Sequence, residues 1–330
     1  MATAEQIVAL LKSYSDKDDV RFLSVAMQIA AHESRQGHKT MAKELMDLID
    51  RVKENRSSIP VNNDPIPIIR PKGELTGLLT ANFSKDRIGD LAVSLELKNR
   101  LAQILIEQRQ RDKIQAYGLL PRHKVLLIGP PGTGKTLTAR ILAGELHIPL
   151  FTIRLDTVIT KFMGETAAKL RLIFDAIAQT RGVYLFDEFD AIGSHRDSNN
   201  DVGEVRRILN SFLQFMEEDC SNSVIVAATN HPNLLDSALF RRFDDVLEYT
   251  LPDTEEITTL LTSHLARFNT KDVEWSTISH RAVGLSHAEV VQSAKDAAKN
   301  AILQDHESIK SSMVINAIDN RTRKRNNMKN

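Results

Sequence analysis

Gly129-Pro130-Pro131-Gly132-Thr133-Gly134-Lys135-Thr136 is the stretch on which the reading of this chain turns. Residues 124–128 before it form a short apolar run with the character of a strand, and residues 136–145 after it carry helical spacing. The octapeptide therefore sits at a strand-to-helix junction, the context in which this pattern forms a phosphate-cradling loop. Its glycines let backbone N–H groups wrap an anion, and the start of the helix adds partial positive charge. Lys135 is placed to reach terminal phosphates, and Thr136 offers a hydroxyl to Mg2+. A plain Gly and Pro turn between strand and helix is the alternative, and the flanking elements outweigh it.

Outward from the loop, helices alternate with short strands. A helix runs through Leu97, Leu101, Ile104 and Leu105, and strands are expected at 124–128, 150–155, 182–186 and 223–228, with helices at 136–145, 165–179 and 205–216. That order predicts an α/β fold, a P-loop parallel sheet covered by helices. After Pro252 the strands stop and the chain reads as helical. Ser286 and Glu289 are in capping-box register ahead of a stripe of Val290, Ala294, Ala297, Ala298 and Ala301. This C-terminal part is expected to form an all-helical lid. Residues 1–55 carry three helical signatures, among them Phe22, Val25, Ala26, Ile29 and Ala30, and predict a small helical N-terminal domain. Between them lie Pro60, Pro65, Pro67 and Pro71, which read as a linker. The expected organisation is an N-terminal adaptor at 1–55, a linker at 56–85, a large subdomain at 86–252, a lid at 253–325 and a tail at 326–330.

Two further elements bear on the loop. Val183-Tyr184-Leu185-Phe186 ends in Asp187-Glu188, an apolar strand delivering two acids. Asp187 is suited to hold Mg2+ directly or through water, and Glu188 to orient and polarise the water that attacks a γ-phosphate. The strand 224–229 ends at Asn230, whose amide can position the same water, although an asparagine at a strand end is more often a turn residue.

The order and spacing of these segments resemble the AAA+ ATPases, and within them the AAA family proper. The resemblance covers residue 88 to about 303. It rests on residues 129–136, Asp187-Glu188-Phe189-Asp190, Ala228-Thr229-Asn230, Leu235-Asp236-Ser237-Ala238-Leu239 and Arg241-Arg242-Phe243-Asp244. It implies ATP/ADP as the nucleotide with Mg2+, held by Pro131, Gly132, Thr133, Gly134, Lys135, Thr136, Leu137 and Asp187, with Ile88 and Gly89 flanking the adenine. It implies that Arg241 or Arg242 acts in trans on the γ-phosphate of a neighbouring subunit, so that hydrolysis needs a homo-oligomeric ring, a hexamer. Arg242, directly before Phe243-Asp244, is the favoured finger. Two departures stand out: the arginines are adjacent where the family separates them, and His287 replaces a glycine in the stretch Ser286-His287-Ala288-Glu289.

Lys161-Phe162-Met163-Gly164 looks like the pore loop with which AAA translocases grip unfolded chains; an aromatic beside a flexible glycine suits unselective apolar contact. Residues 195–203 fall where a second pore loop would lie. The resemblance thus implies a ring that threads or remodels protein substrates. The compact layout is also similar to bacterial ATPases paired with subtilisin-like proteases in phage-defence (antiviral) and plasmid-stability loci, which implies such a protease as a separate partner.

Composition narrows the alternatives. The 330 residues are 42% hydrophobic and 26% charged, too apolar for wholesale disorder and too charged for a membrane bundle. The 43 Lys and Arg balance the 43 Asp and Glu, so no global field favours nucleic acid. A nucleic-acid ATPase is motivated only by Arg321, Arg323, Lys324, Arg325 and Lys329, which read more simply as a solvated, disordered tail. The 5% aromatic content leaves few stacking platforms. A third class is an ATP-gated assembly switch that does not thread. A single cysteine, Cys220, excludes an intrachain disulfide, and the lack of a signal peptide or bilayer-length run reads as a cytoplasmic protein without membrane contact.

Overall fold

The computed structural model describes residues 25, 29, 30, 73–155, 158, 165–190, 202–235, 237–306 and 308–329. The chain separates into two compact units, Met1–Ile66 and Pro67–Asn330. In the first, residues 25, 29 and 30 are helical and Ala30 is buried, as the expected stripe requires. The rest of that expected helical domain lies outside the described residues.

The second unit is built on six strands: β1 (Leu79–Asn82), β2 (Lys124–Ile128), β3 (Leu150–Arg154), β4 (Val183–Asp187), β5 (Val224–Thr229) and β6 (Asp245–Glu248). Their order is β1-β3-β4-β5-β2-β6. The pairs β3·β4, β4·β5, β5·β2 and β2·β6 are parallel, and β1 closes the β3 edge antiparallel, with Leu79 opposite Ile153 and Asn82 opposite Leu150. Successive strand residues alternate between two cores. Val125, Leu127, Val183, Leu185, Val224 and Val226 face one side, with α1 (Leu95–Arg109) and α3 (Lys135–Leu146) packed over them. Leu126, Tyr184, Phe186, Ile225 and Ala227 face the other, under α4 (Thr166–Gln179) and α5 (Val202–Glu218). There Phe212 meets Phe174, Phe186 and Phe189 edge-on at centroid distances of 5.6, 5.2 and 5.0 Å, a favoured aromatic geometry. A short α2 (Arg111–Ala116) follows α1, and α6 (Ser237–Phe240) precedes β6.

The helical lid comprises α7 (Thr254–His264), α8 (Trp275–Ala282), α9 (His287–Leu303) and α10 (Ser311–Lys329) around their own core. Both expected signals for α9 are present. Ser286 and Glu289 form a capping box, and Val290, Ala294, Ala297 and Ala301 are buried, the alanines letting α9 and α10 pack closely. Asp253 and Glu256 form a second capping box at α7.

Three expectations require correction. Part of the expected linker is sheet: a 3-10 turn (Gly73–Gly77) leads into β1, with Leu78 and Leu79 buried. The sheet is consequently not wholly parallel, because β1 reaches its partner by running back along an edge. The basic segment read as a disordered tail, and the boundary at 325, give way to a helix continuing through Lys329. Arg321 donates to Asp296 at 2.9 Å and Arg325 to the Gly284 carbonyl, so these two cations hold α10 on the lid. Among the described residues, no helix is long and apolar enough to cross a membrane.

Candidate active site

The turn between β2 and α3 takes the form its sequence predicts, and its shape is fixed by neighbours. Gly129 has φ +143°, and a Cβ there would stand 2.2 Å from the Tyr249 carbonyl oxygen. Thr133 is fully buried and its hydroxyl donates to the Pro130 carbonyl at 2.8 Å, pinning the loop from within. Gly132, at φ +76°, faces the lid: its carbonyl accepts from the Ala288 N–H at 3.0 Å, and a Cβ would meet the Ser286 hydroxyl at 2.9 Å. The loop is therefore clasped directly to the first turn of α9.

This loop forms one wall of a cavity of about 520 Å3. Pro131, Gly132, Thr133, Gly134, Lys135, Thr136 and Leu137 line it, with Asp187, Glu188 and Asn230 opposite. Lys135 is buried; its ammonium donates to the Gly129 and Pro130 carbonyls, both at 2.7 Å. Burial pushes its pKa down to about 8, with Asp187 and Asp190 pulling weakly the other way. The Thr136 hydroxyl donates to the Asp187 carboxylate at 3.2 Å, bringing a hydroxyl and a carboxylate to one point of the wall. Glu188 leaves β4 in the left-handed region, φ +54°, which is costly for a residue with a Cβ and characteristic of functional turns. Its carboxylate lies 3.9 Å from the guanidinium of Arg154 at the end of β3.

Asn230 is held by a residue to which sequence reasoning gave no role. One carboxylate oxygen of Asp190 accepts from the Thr229 hydroxyl at 3.0 Å and from the Asn230 N–H at 3.3 Å, tying the ends of β4 and β5 together. The sequence also missed the lid's share of the cavity, which comes from Leu260, His264, His287, Ala288 and Val291. Ile88 and Gly89 begin a 3-10 turn, with the Ile88 N–H donating to Glu145 at 3.1 Å and its side chain against the core; the next residues, Asp90, Leu91 and Ala92, line the cavity.

Arg241 and Arg242 lie apart from this cavity. Arg242 is ion-paired with Glu217 of α5, and Arg241 is exposed. Both precede Phe243, buried edge-on against Phe189, and Asp244, whose carboxylate accepts from the His123 and Lys124 N–H groups. Since β6 then pairs Asp245 with Val125 at the start of β2, the arginines stand at the opposite end of the sheet from the loop, roughly 13 Å along the strand. The pore-loop candidates Lys161, Phe162, Met163 and Gly164 fall outside the described residues, as does most of 195–203.

Comparison with known proteins agrees with this geometry. Residues 125–251 match the family model "ATPase family associated with various cellular activities (AAA)". The chain is 31% identical over 328 residues to y4kL, an uncharacterized AAA family ATPase of Sinorhizobium fredii, covering 98% of this chain and 97% of that one. It is 34% identical over 254 residues to the ATP-dependent zinc metalloprotease FtsH 3 of Sphaerobacter thermophilus, covering 75% of this chain but 52% of that protein. The crystal structure of the FIGL-1 AAA domain superposes with a TM-score of 0.61 at 25% identity, over 74% of this chain and 86% of that one. With a relative matched end to end at this identity and the loop, acids and lid assembled around one cavity, the chain belongs to the AAA family of ATPases.

Proposed function

We propose that this ATPase remodels protein substrates by threading them through the pore of a homo-oligomeric, hexameric ring, with ATP bound and hydrolysed in the cavity between the P-loop and the lid. The observation that carries the reading is the separation of parts. The phosphate loop, Glu188 and Asn230 share one cavity, while Arg241 and Arg242 stand at the far end of the sheet, where they would face a neighbour's cavity rather than their own. Lys135 and the loop N–H groups would hold the phosphates. Glu188 would take the proton of the attacking water, and Asn230, braced by Asp190, would keep that water in line. The Thr136 hydroxyl and the Asp187 carboxylate are hard oxygen donors 3.2 Å apart in the cavity wall, a set that fits Mg2+, which would neutralise phosphate charge there. An arginine contributed by the neighbour adds about 10³ to 10⁵ in rate in related phosphoryl transfers.

In this reading residues 1–55 select substrates and residues 161–164 grip them. The FtsH relatives are named as ATP-dependent proteases. By analogy, threaded chains here would pass to a separate protease, of the subtilisin-like class suggested by the layout. The test is to isolate the Glu188→Gln protein from its host with ATP and identify what remains bound. Bound protein that is lost on adding Phe162→Ala supports threading. Bound nucleic acid with no enriched protein would refute it.

A further inference from the structure

Tyr249 directly follows β6 and touches both ends of the phosphate loop. At the entry, its N–H donates to the Ile128 carbonyl at 2.7 Å, and its own carbonyl oxygen abuts Gly129. At the exit, its hydroxyl meets the Thr138 hydroxyl of α3 at 2.5 Å, and that hydroxyl lies 3.2 Å from the Gly134 carbonyl. Both side chains are buried. Thr138 has one hydroxyl proton, and the Gly134 carbonyl can only accept it. Tyr249 must then be the donor to Thr138, and each hydroxyl proton of the relay has an acceptor. Burial raises the Tyr249 pKa, outweighing the opposing Thr138 hydrogen bond, so the phenol keeps the proton it donates.

The relay ends on the backbone that would hold phosphate. Gly134 caps α3 at φ +103°, and its carbonyl accepts twice from Thr138, from the N–H at 2.9 Å and from the hydroxyl. The Gly134–Lys135 peptide is trans, so its carbonyl and its N–H point in opposite directions. Holding the Gly134 carbonyl along α3 therefore aims the Lys135 N–H back into the loop. We infer that Tyr249 is a positioning residue for the phosphate loop: its hydroxyl, acting through Thr138, sets the direction of the Lys135 N–H, while its main chain fixes Ile128 and Gly129. One residue thus sets the span between the loop's two ends. A phenylalanine would fill the same space in the apolar core beneath α3 and hold only the first end.

The inference rests on the proposed nucleotide cavity, and calorimetric titrations of the full-length protein with ATP and with inorganic tripolyphosphate separate the two. Tyr249→Phe should weaken both ligands by the same factor, roughly fivefold, equivalent to about 1 kcal/mol, because the loss is confined to the phosphate end. Its unliganded melting temperature should stay within about 2 °C of wild type, since the packing is kept. Thr138→Ser, which preserves the relay, should bind as wild type does. Thr138→Val should weaken both ligands at least as much as Tyr249→Phe, and the double variant no more than Thr138→Val alone, because the two hydroxyls act as one unit. Tripolyphosphate affinity of Tyr249→Phe within twofold of wild type, whether or not the melting temperature falls, would overturn the assignment, as would a loss confined to ATP. Failure of the unaltered protein to bind either ligand would overturn the cavity reading, and this inference with it.

Discussion

Lys135 should make nucleotide binding consume protons. In the unliganded protein its ammonium is buried and pushed down to about 8. A bound triphosphate places several negative charges on it and should return it at least to the ordinary lysine value of about 10.4. The bound state then holds more protons than the free state between these limits, so binding takes up protons and weakens as pH rises. At pH 8 about half of the free protein has neutral Lys135, giving an uptake of about 0.5 proton per nucleotide, and from pH 7.5 to 9 the affinity should fall roughly eightfold. The assay is isothermal titration calorimetry of the Glu188→Gln protein in buffers of different ionisation enthalpy, which reads proton uptake directly. Lys135→Arg is the control, since guanidinium stays charged throughout this range. An uptake below about 0.1 proton at pH 8, or an equally steep profile for Lys135→Arg, would refute the reasoning.

Three other outcomes are expected. Gly129→Ala would drive its Cβ into the Tyr249 carbonyl oxygen at 2.2 Å; a loss of about 3 kcal/mol, on the order of 10 °C in melting temperature, is expected by calorimetry. Asp190→Ala should release Asn230 and the end of β5, lowering kcat by roughly 10-fold or more with ATP affinity retained, read by steady-state hydrolysis beside nucleotide titration. Arg242→Ala and Glu188→Gln proteins should each be inactive alone and partly active when mixed, because an intact Glu188 can then face an intact arginine; no recovery in a hydrolysis assay of the mixture would place the arginine in cis.

The sequence carried what is local. Residues 129–136 announce the turn between β2 and α3, and apolar runs at 124–128 and 224–229 carry buried parallel strands, because such strands need no alternation to be recognised. β1 escaped because four residues after a proline-rich stretch are too few to show a period; only the partner across Leu79 and Ile153 makes them a strand. β6 was equally short and begins and ends in an acid. Parts of the candidate site escaped because they depend on contacts distant in sequence. No spacing rule brings Leu260, His287 and Val291 over a loop some 130 to 160 residues earlier, and none indicates that Asp190 braces Asn230. Ile88, expected beside an adenine by resemblance alone, packs its side chain against the core, and the cavity is lined instead by Asp90, Leu91 and Ala92, a direction of presentation that no local pattern encodes.

The clasp between the Ala288 N–H and the Gly132 carbonyl is made by main-chain atoms alone. Almost any side chain at position 288 preserves it, so the joint between lid and loop leaves no trace in residue identity and would survive long divergence unseen in an alignment. Proline is the exception: it lacks the donor, yet the first turn of a helix accommodates its ring. Ala288→Pro therefore removes one chemical link between the two parts while leaving the helix that carries it intact, turning a jointed lid into a merely adjacent one.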